Sequence, residues 1–248
     1  MALSRGLPRV GVTHHLALWS PDLPRRRLRE ESTTRSPGQP IRVTSVGQTG
    51  RCPGTGGARV AAVLGDGYDI RPLEAGDGPV LATAYRRNRD HLAPWDPVRP
   101  EAFFTVPGQS AEVANRLAVV AAGHGASWVA VHGEEVVGRV NLNNLVRGVF
   151  QSASVGYWVA SDHTGRGLAT AMVEHAVTQA HALDLHRLEA GTLLANESSQ
   201  RVLAKAGFER IGVARDYLFI AGRWQDHVLF QRILHADPLP ESSGATRR

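Results

Sequence analysis

Residues 157–170 read Tyr157-Trp158-Val159-Ala160-Ser161-Asp162-His163-Thr164-Gly165-Arg166-Gly167-Leu168-Ala169-Thr170, and they link a predicted strand to the longest predicted helix. Gly165 and Gly167 lack a Cβ atom, so the backbone can turn sharply and approach a ligand closely. The first N–H groups of the helix have no partners within it and point outward at the positive end of the helix dipole. Such a terminus can bind a diphosphate, to which Arg166 would add positive charge. The residues alone leave open a glycine-rich turn without a ligand.

Several other kinds of site are excluded by the sequence. The phosphate-binding pattern Gly-x-x-x-x-Gly-Lys-[Ser/Thr] is absent, and Gly-x-Gly-x-x-Gly is not met because position 170 is Thr. One cysteine, Cys52, can form neither an internal disulfide nor a Cys-rich zinc site. The eleven histidines show no metal-ligand spacing, so we expect no metal.

The surrounding pattern predicts a mixed α/β domain. Periodicity, β-branched residues and turn residues place strands at 68–73, 127–131, 136–142, 149–160, 188–194, 217–220 and 227–233. Helices are predicted at 79–89, 110–123, 167–183 and 197–206. The second to fourth strands have short connections, which indicates an antiparallel meander.

The two ends of the chain differ from this domain in composition. Residues 1–60 hold ten Arg against three acidic residues, so the overall charge of +5 comes from this leader. We expect a disordered basic, Gly/Pro/Arg-rich leader over 1–62, a folded domain over 63–236 and a disordered tail over 237–248. The leader is either a tail without a function of its own or a basic arm that touches RNA. Because the folded part is close to neutral, we expect no nucleic-acid binding outside the leader.

Three ordered blocks resemble the GNAT acetyltransferase superfamily, in particular its RimJ/RimL type, which acetylates the N-termini of ribosomal proteins. Residues 163–170 are similar to the pyrophosphate signature [Gln/Arg]-x-x-Gly-x-[Gly/Ala], with Gly167 and Ala169 in the last two places and Thr164 departing from Gln or Arg. Residues 194–208, with Asn196, Ser199 and a Gly-Phe ending, resemble the second block of that type. Residues 220–229 are similar to its closing hairpin. The likeness covers about 68–233.

This resemblance implies the GNAT fold: a mixed central sheet, splayed between the fourth and fifth strands and flanked by helices. It also implies that acetyl-CoA is the cofactor and that its pantetheine arm pairs with the exposed backbone at the splay, as an added strand would. Asn196 would contact the arm, although it can equally be the N-cap of the following helix. The implied cofactor-binding residues are Trp158, Val159, Ala160, Thr164, Gly165, Arg166, Gly167, Leu168, Ala169, Thr170, Asn196 and Ser199.

The resemblance also implies catalytic residues. Many GNAT enzymes have a Tyr where this chain has Leu203, which has no proton to give, whereas Ser199 matches a Ser placed near the sulfur in the RimJ/RimL type. We expect Ser199 to assist departure of the thiolate, unless it is simply a residue of the first helical turn. Glu189 is the candidate general base, and a water molecule can carry the proton between it and the amine. Arg187 lies on the same strand face, and an ion pair with it would make Glu189 a weaker base.

Candidate acceptor-binding residues lie outside the three blocks. Trp95 matches an acceptor-loop Trp of the same branch and is either a groove wall or a core anchor. Asn141 and Asn143 alternate onto one face of their strand and can touch the acceptor.

We expect the acceptor to be a protein N-terminus, with a small amine such as an antibiotic as the alternative. A CoA-binding regulator without catalysis and an RNA-binding module built on the leader are further alternatives. We expect a monomer or homodimer in the cytoplasm, with no membrane association, because the sequence has neither a long apolar run nor a secretory signal.

Overall fold

The computed structural model describes residues 62–65 and 67–236, and the leader and tail predictions therefore lie almost wholly outside it. The strands are β1 (Ala62–Gly65), β2 (Tyr68–Pro72), β3 (Ala126–His132), β4 (Glu135–Val146), β5 (Ser152–Val159), β6 (Arg187–Leu193), β7 (Glu209–Ile220) and β8 (Arg223–Ile233). The helices are α1 (Gly78–Arg87), α2 (Arg89–Leu92), α3 (Val106–Ala121), α4 (Leu168–Ala182) and α5 (Glu197–Lys205). None of the described helices is both long and apolar enough to cross a membrane.

Eight strands form one sheet in the order β1-β2-β3-β4-β5-β6-β8-β7. The predicted meander is confirmed, because β3, β4 and β5 pair antiparallel in succession. The predicted fourth and fifth strands are β5 and β6, and they pair in parallel only from Ser152 to Ser154 and from Arg187 to Glu189. Beyond that point β5 continues to pair with β4, and β6 with β8. The predicted gap in the sheet is therefore present, and we call the gap between β5 and β6 beyond Ser154 and Glu189 the split.

Two apolar clusters cover the two faces of the sheet. Along β3, Trp128 and Ala130 join the cluster that contains α4 and the start of β6, whereas Val129 joins the cluster of α1 and α3. Alternate residues of a strand point to opposite faces, so these helices lie on opposite sides. We call the α4 side the back face and the α1/α3 side the front face.

Several element boundaries differ from the sequence predictions. Helix α3 begins at Val106 rather than at 110, because the Thr105 hydroxyl accepts a hydrogen bond from Gly108 N–H (3.2 Å) and caps the helix. Strand β7 begins at Glu209 rather than at 217. Its first half is mostly exposed, and register shifts interrupt the strand between Arg210 and Gly212 and between Ala214 and Leu218, so it has no clean alternation to detect. Strand β1 and the short helix α2, within a predicted loop, were not expected.

Candidate active site

The turn before α4 has the geometry expected for binding a diphosphate. Gly165 and Gly167 have φ angles of +75° and +79°, a left-handed conformation that favours glycine. A Cβ atom added at either position would meet nothing within 4 Å, so the space in front of both is open. Gly167 is the N-cap of α4 and provides no side-chain cap, and the first turn contains no acidic residue. The N–H groups of the first turn, at Leu168, Ala169 and Thr170, therefore face a place where an anion fits.

Neighbouring polar residues hold this turn in place. The Thr164 hydroxyl donates to Ser161 O (2.9 Å), which fixes the start of the turn. Arg166 donates to Asp162 O (3.1 Å) and to the Tyr68 hydroxyl (3.3 Å). Arg166 is exposed, so its remaining N–H groups can reach a phosphate from the outside of the turn.

The backbone of β5 faces the split in alternating positions. Ala160, which the resemblance placed among the cofactor-binding residues, has both backbone groups paired within the protein: its N–H donates to Val137 O (2.8 Å) and its carbonyl accepts from His163 N–H (2.9 Å). Because peptide groups alternate in direction along a strand, Trp158 also points its backbone toward β4, and Tyr157 and Val159 point theirs into the split. The Trp158 side chain packs on the front face, where its Nε1 donates to the Tyr85 hydroxyl (2.9 Å).

Each of the two strands that border the split has a glycine on the front face. Gly156 lies opposite Asn141 in the register of β4 and β5, which places it on the front face. Gly191 on β6 also faces the front: a Cβ atom added there would lie 3.5 Å from the Tyr217 ring and 3.6 Å from the His227 ring. The two strands that border the split thus each present a residue without a side chain at this point.

Ser199 lies on the back side of the split, at the start of α5. Asn196 Oδ1 accepts a hydrogen bond from Ser199 N–H (3.1 Å), so the N-cap role of Asn196 is confirmed. The Ser199 hydroxyl lies 2.8 Å from the hydroxyl of Tyr157, a residue that the sequence analysis did not single out. Burial raises the pKa of Tyr157 to about 12, against a smaller lowering by the hydrogen bond with Ser199. Tyr157 therefore keeps its proton at neutral pH, and the two hydroxyls form a proton-holding pair.

Glu189 lies on the front face, at the last pairing position before the split. Its Oε1 is 2.8 Å from Arg187 Nη2, so the ion pair that the sequence analysis set against a catalytic role is present. The Tyr217 hydroxyl is nearby: burial, and then the negative charge of Glu189, raise the pKa of Tyr217.

His227, which the sequence analysis did not select, completes this part of the front face. It is 3% exposed, and its Nδ1 lies 2.9 Å from Gln225 O. Burial is the main cause that lowers its pKa, so the imidazole is neutral at neutral pH. Tyr217 and His227 are on β7 and β8, far in sequence from Glu189. His227 lies within residues 220–229, the block that resembles the closing hairpin of the family, but that resemblance assigned it no role, and Tyr217 lies before the block.

The predicted acceptor residues lie on the front face or at its edge. Asn141 Oδ1 accepts from Arg139 Nε (3.1 Å), and Asn143 Oδ1 accepts from Arg116 Nη1 (2.8 Å). Trp95 is 38% exposed, which contradicts the alternative of a core anchor. The loop that contains it is tied to the turn between β7 and β8 by the hydrogen bond from Ala221 N to Asp96 O (3.1 Å).

Comparison with known proteins identifies the family. Residues 69–209 match the acetyltransferase (GNAT) domain. The chain belongs to the GNAT acetyltransferase family. The RimJ/RimL resemblance noted from the sequence is thereby confirmed, as is the predicted fold, and this GNAT acetyltransferase is an acetyl-CoA-dependent N-acetyltransferase.

Individual relatives of this GNAT acetyltransferase extend over most of its folded part. Over 162 residues it is 36% identical to the probable N-acetyltransferase YjcK of Bacillus subtilis, covering 64% of this chain and 89% of that protein. Over 170 residues it is 34% identical to the Escherichia coli ribosomal protein uS5-alanine N-acetyltransferase, covering 64% of this chain and 84% of that protein. The solved structure of Mycobacterium smegmatis RimJ in complex with a CoA disulfide has a TM-score of 0.64 and 30% identity, covering 67% and 81% of the two chains.

Proposed function

We propose that this GNAT acetyltransferase transfers the acetyl group of acetyl-CoA to the N-terminal α-amino group of a protein. Ribosomal proteins are among the candidate acceptors. The observation that supports the chemistry most directly is the split itself, where β5 and β6 stop pairing, with the Tyr157–Ser199 hydroxyl pair on its back side. The acceptor class is supported by the E. coli relative, whose name specifies an alanine of ribosomal protein uS5 as its acceptor.

The residues that would hold acetyl-CoA are the open turn at Gly165–Gly167, the first N–H groups of α4 and the backbone of Tyr157 and Val159. When bound, acetyl-CoA supplies an acyl thioester, from which an attacking amine displaces a thiolate. Ser199 Oγ would hold the proton that the departing sulfur takes up, and the Tyr157 hydroxyl can replace that proton through the 2.8 Å hydrogen bond.

The acceptor must reach this site as a neutral amine. An α-amino group has a pKa of about 7.7–8.0, whereas a lysine side chain has about 10.4. Near pH 7.4 roughly a quarter of the former is neutral, against about one part in a thousand of the latter. An N-terminal acceptor therefore needs little help from a base, which suits a front face where Glu189 is ion-paired. We propose that Glu189 acts as the general base through a water molecule.

A thiol-release assay with acetyl-CoA tests the proposal. The acceptors compared are peptides that begin with Ala, Ser or Met, the same peptides with a blocked N-terminus and an internal lysine, small amines and aminoglycosides. We expect the peptides with a free N-terminus to give the highest kcat/KM. Turnover confined to small amines would favour the alternative acceptor class, and tight CoA binding without turnover on any amine would indicate a regulator.

A further inference from the structure

Two arginines from different elements lie close together on the front face. Arg139 on β4 is 7% exposed, and Arg116 on α3 is half-buried. Burial lowers the pKa of Arg116, and the positive charge of Arg139 lowers it further; Glu112, one helical turn away, partly offsets both. Two like charges removed from water are unfavourable unless an opposite charge joins them.

Within the described part of the chain, neither of these guanidinium groups forms an ion pair with a carboxylate. Neutral oxygens hold them instead. Arg139 donates to Asn141 Oδ1 (3.1 Å) and, more weakly, to the Ser127 hydroxyl (3.4 Å), and Arg116 donates to Asn143 Oδ1 (2.8 Å). A guanidinium has five N–H donors, so each arginine keeps donors for a further acceptor.

Three partly buried arginines of the described chain have a carboxylate partner, whereas Arg232, which is more exposed than Arg139, donates to the Ala206 carbonyl. Arg71 pairs with Asp77 (2.7 Å), Arg87 with Glu135 (2.7 Å) and Arg187 with Glu189 (2.8 Å). The more deeply buried Arg139 needs a counter-charge more than these do, because burial penalises an unpaired ion most. Glu112 acts on Arg116 only from a distance, and no described carboxylate forms an ion pair with Arg139; this points to an anion supplied by a ligand.

The position of the pair indicates which ligand this is. Asn143, which holds Arg116, pairs with Ser154, the last residue of β5 that pairs with β6. The Asn143 amide nitrogen also lies 3.4 Å from the position of a Cβ atom built on Gly156, at the open front of the split. The arginines therefore lie one to two strands from the split, about 5–10 Å away, and on the face opposite α4.

We propose that Arg116 and Arg139 form a subsite for a carboxylate of the acceptor, close to the amine that is acetylated. This inference rests on the proposed function and specifies the acceptor further. An extended peptide advances about 3.3 Å per residue, so an acidic side chain at the second or third position can reach the pair. The free α-carboxylate of an amino acid offers the same chemistry at shorter reach. Two planar guanidinium groups suit a carboxylate because they can donate to both of its oxygens.

The test compares matched acceptors on the full-length protein. Short peptides that begin with Ala carry Glu or Gln at the second or third position, and alanine is compared with alanine amide to detect recognition of a free α-carboxylate. We expect kcat/KM for the better of the two Glu peptides to exceed that of the matching Gln peptide at least about tenfold, or kcat/KM for alanine to exceed that of alanine amide by the same factor. In Arg116→Gln this ratio should fall to near one, and Arg116→Lys, which keeps the charge without the planar fork, should retain part of it.

Several outcomes would overturn the inference. One is a wild-type protein whose kcat/KM is the same for the Glu and Gln peptides and the same for alanine and alanine amide. Another is a preference for the carboxylate acceptor that remains unchanged in Arg116→Gln. A marked loss of CoA affinity in Arg116→Gln, measured by calorimetry, would instead assign the arginines to a cofactor phosphate. Amine-dependent thiol release without any carboxylate preference refutes this inference alone, whereas no amine-dependent release at all refutes the proposed function. A thermal melt of Arg116→Gln checks that the variant is folded.

Discussion

Replacing Ser199 by Ala, alone and together with Tyr157→Phe, should reveal whether the two hydroxyls act as one unit. Ser199→Ala removes the oxygen nearest the expected leaving sulfur, and we expect kcat to fall about 10²–10⁴-fold. Tyr157→Phe leaves the serine hydroxyl in place and removes one hydrogen bond, worth about 1.4 kcal/mol, so kcat should fall about tenfold. Because Tyr157 acts through Ser199 in this scheme, the double variant should be no slower than Ser199→Ala within about threefold.

The structure predicts that the fold tolerates both changes. The cap of α5 uses the Ser199 backbone N–H, which alanine keeps, and the Tyr157 hydroxyl can still donate to Ser199 O (3.3 Å) in Ser199→Ala. The loss of one half-buried hydrogen bond should cost about 1 kcal/mol of unfolding free energy. Thiol release is best measured in a Cys52→Ser background, since Cys52 is the one cysteine of the chain and can react with thiol reagents.

The kinetic result has a clear contrary outcome. If Ser199→Ala leaves kcat unchanged, Ser199 has no part in thiolate departure. If the effects of the single variants multiply in the double variant, the hydroxyls act separately and the proton-relay argument is refuted. CoA affinity, measured in parallel, should change little in all three variants, because the proposed role is in the chemical step.

Three further predictions follow from the geometry of the site and the core. Gly167→Ala should raise the KM for acetyl-CoA at least tenfold, because it strains a residue at φ +79° by about 1–2 kcal/mol and places a methyl group in the open space before α4. Gly133→Ala is the control: this residue lies at φ +61° with open space around it, so the variant should lose similar stability without a change in KM. Gly138→Ala should lower the unfolding free energy by about 1–3 kcal/mol in denaturant titrations, because its Cβ would lie 2.9 Å from Met172 Sδ, and an unchanged midpoint would contradict this packing. Burial lowers the pKa of His227, so the unfolded chain takes up a proton at this residue more readily than the folded chain does. The free energy of unfolding is therefore unaffected by this group above about pH 6.5 and decreases below it, by up to about 1.4 kcal/mol per pH unit. In His227→Gln the free energy of unfolding should decrease less between pH 7 and pH 5.

The sequence predicted the part of the site that depends on local structure. The two glycines at positive φ and the uncapped start of α4 follow from a few consecutive residues, and so does the Asn196 cap on Ser199. The same holds for the order of the elements between β2 and α5, apart from the short helix α2. Each of these features depends on contacts within one or two turns of the chain, which is why residue type and spacing indicated them.

Tertiary structure alone decided which side chains meet at the split. Tyr157 reaches Ser199 from 42 positions away, and Arg116 reaches Asn143 from 27 positions away. The first half of β7 was recognised only from its pairing with β8, because it has no periodic pattern of its own. Such contacts depend on the register of strands that lie far apart in sequence, and no local pattern encodes that register. The sequence by itself therefore indicated the fold and predicted where the cofactor binds, and the packing of the sheet determined which side chains lie together on its front face.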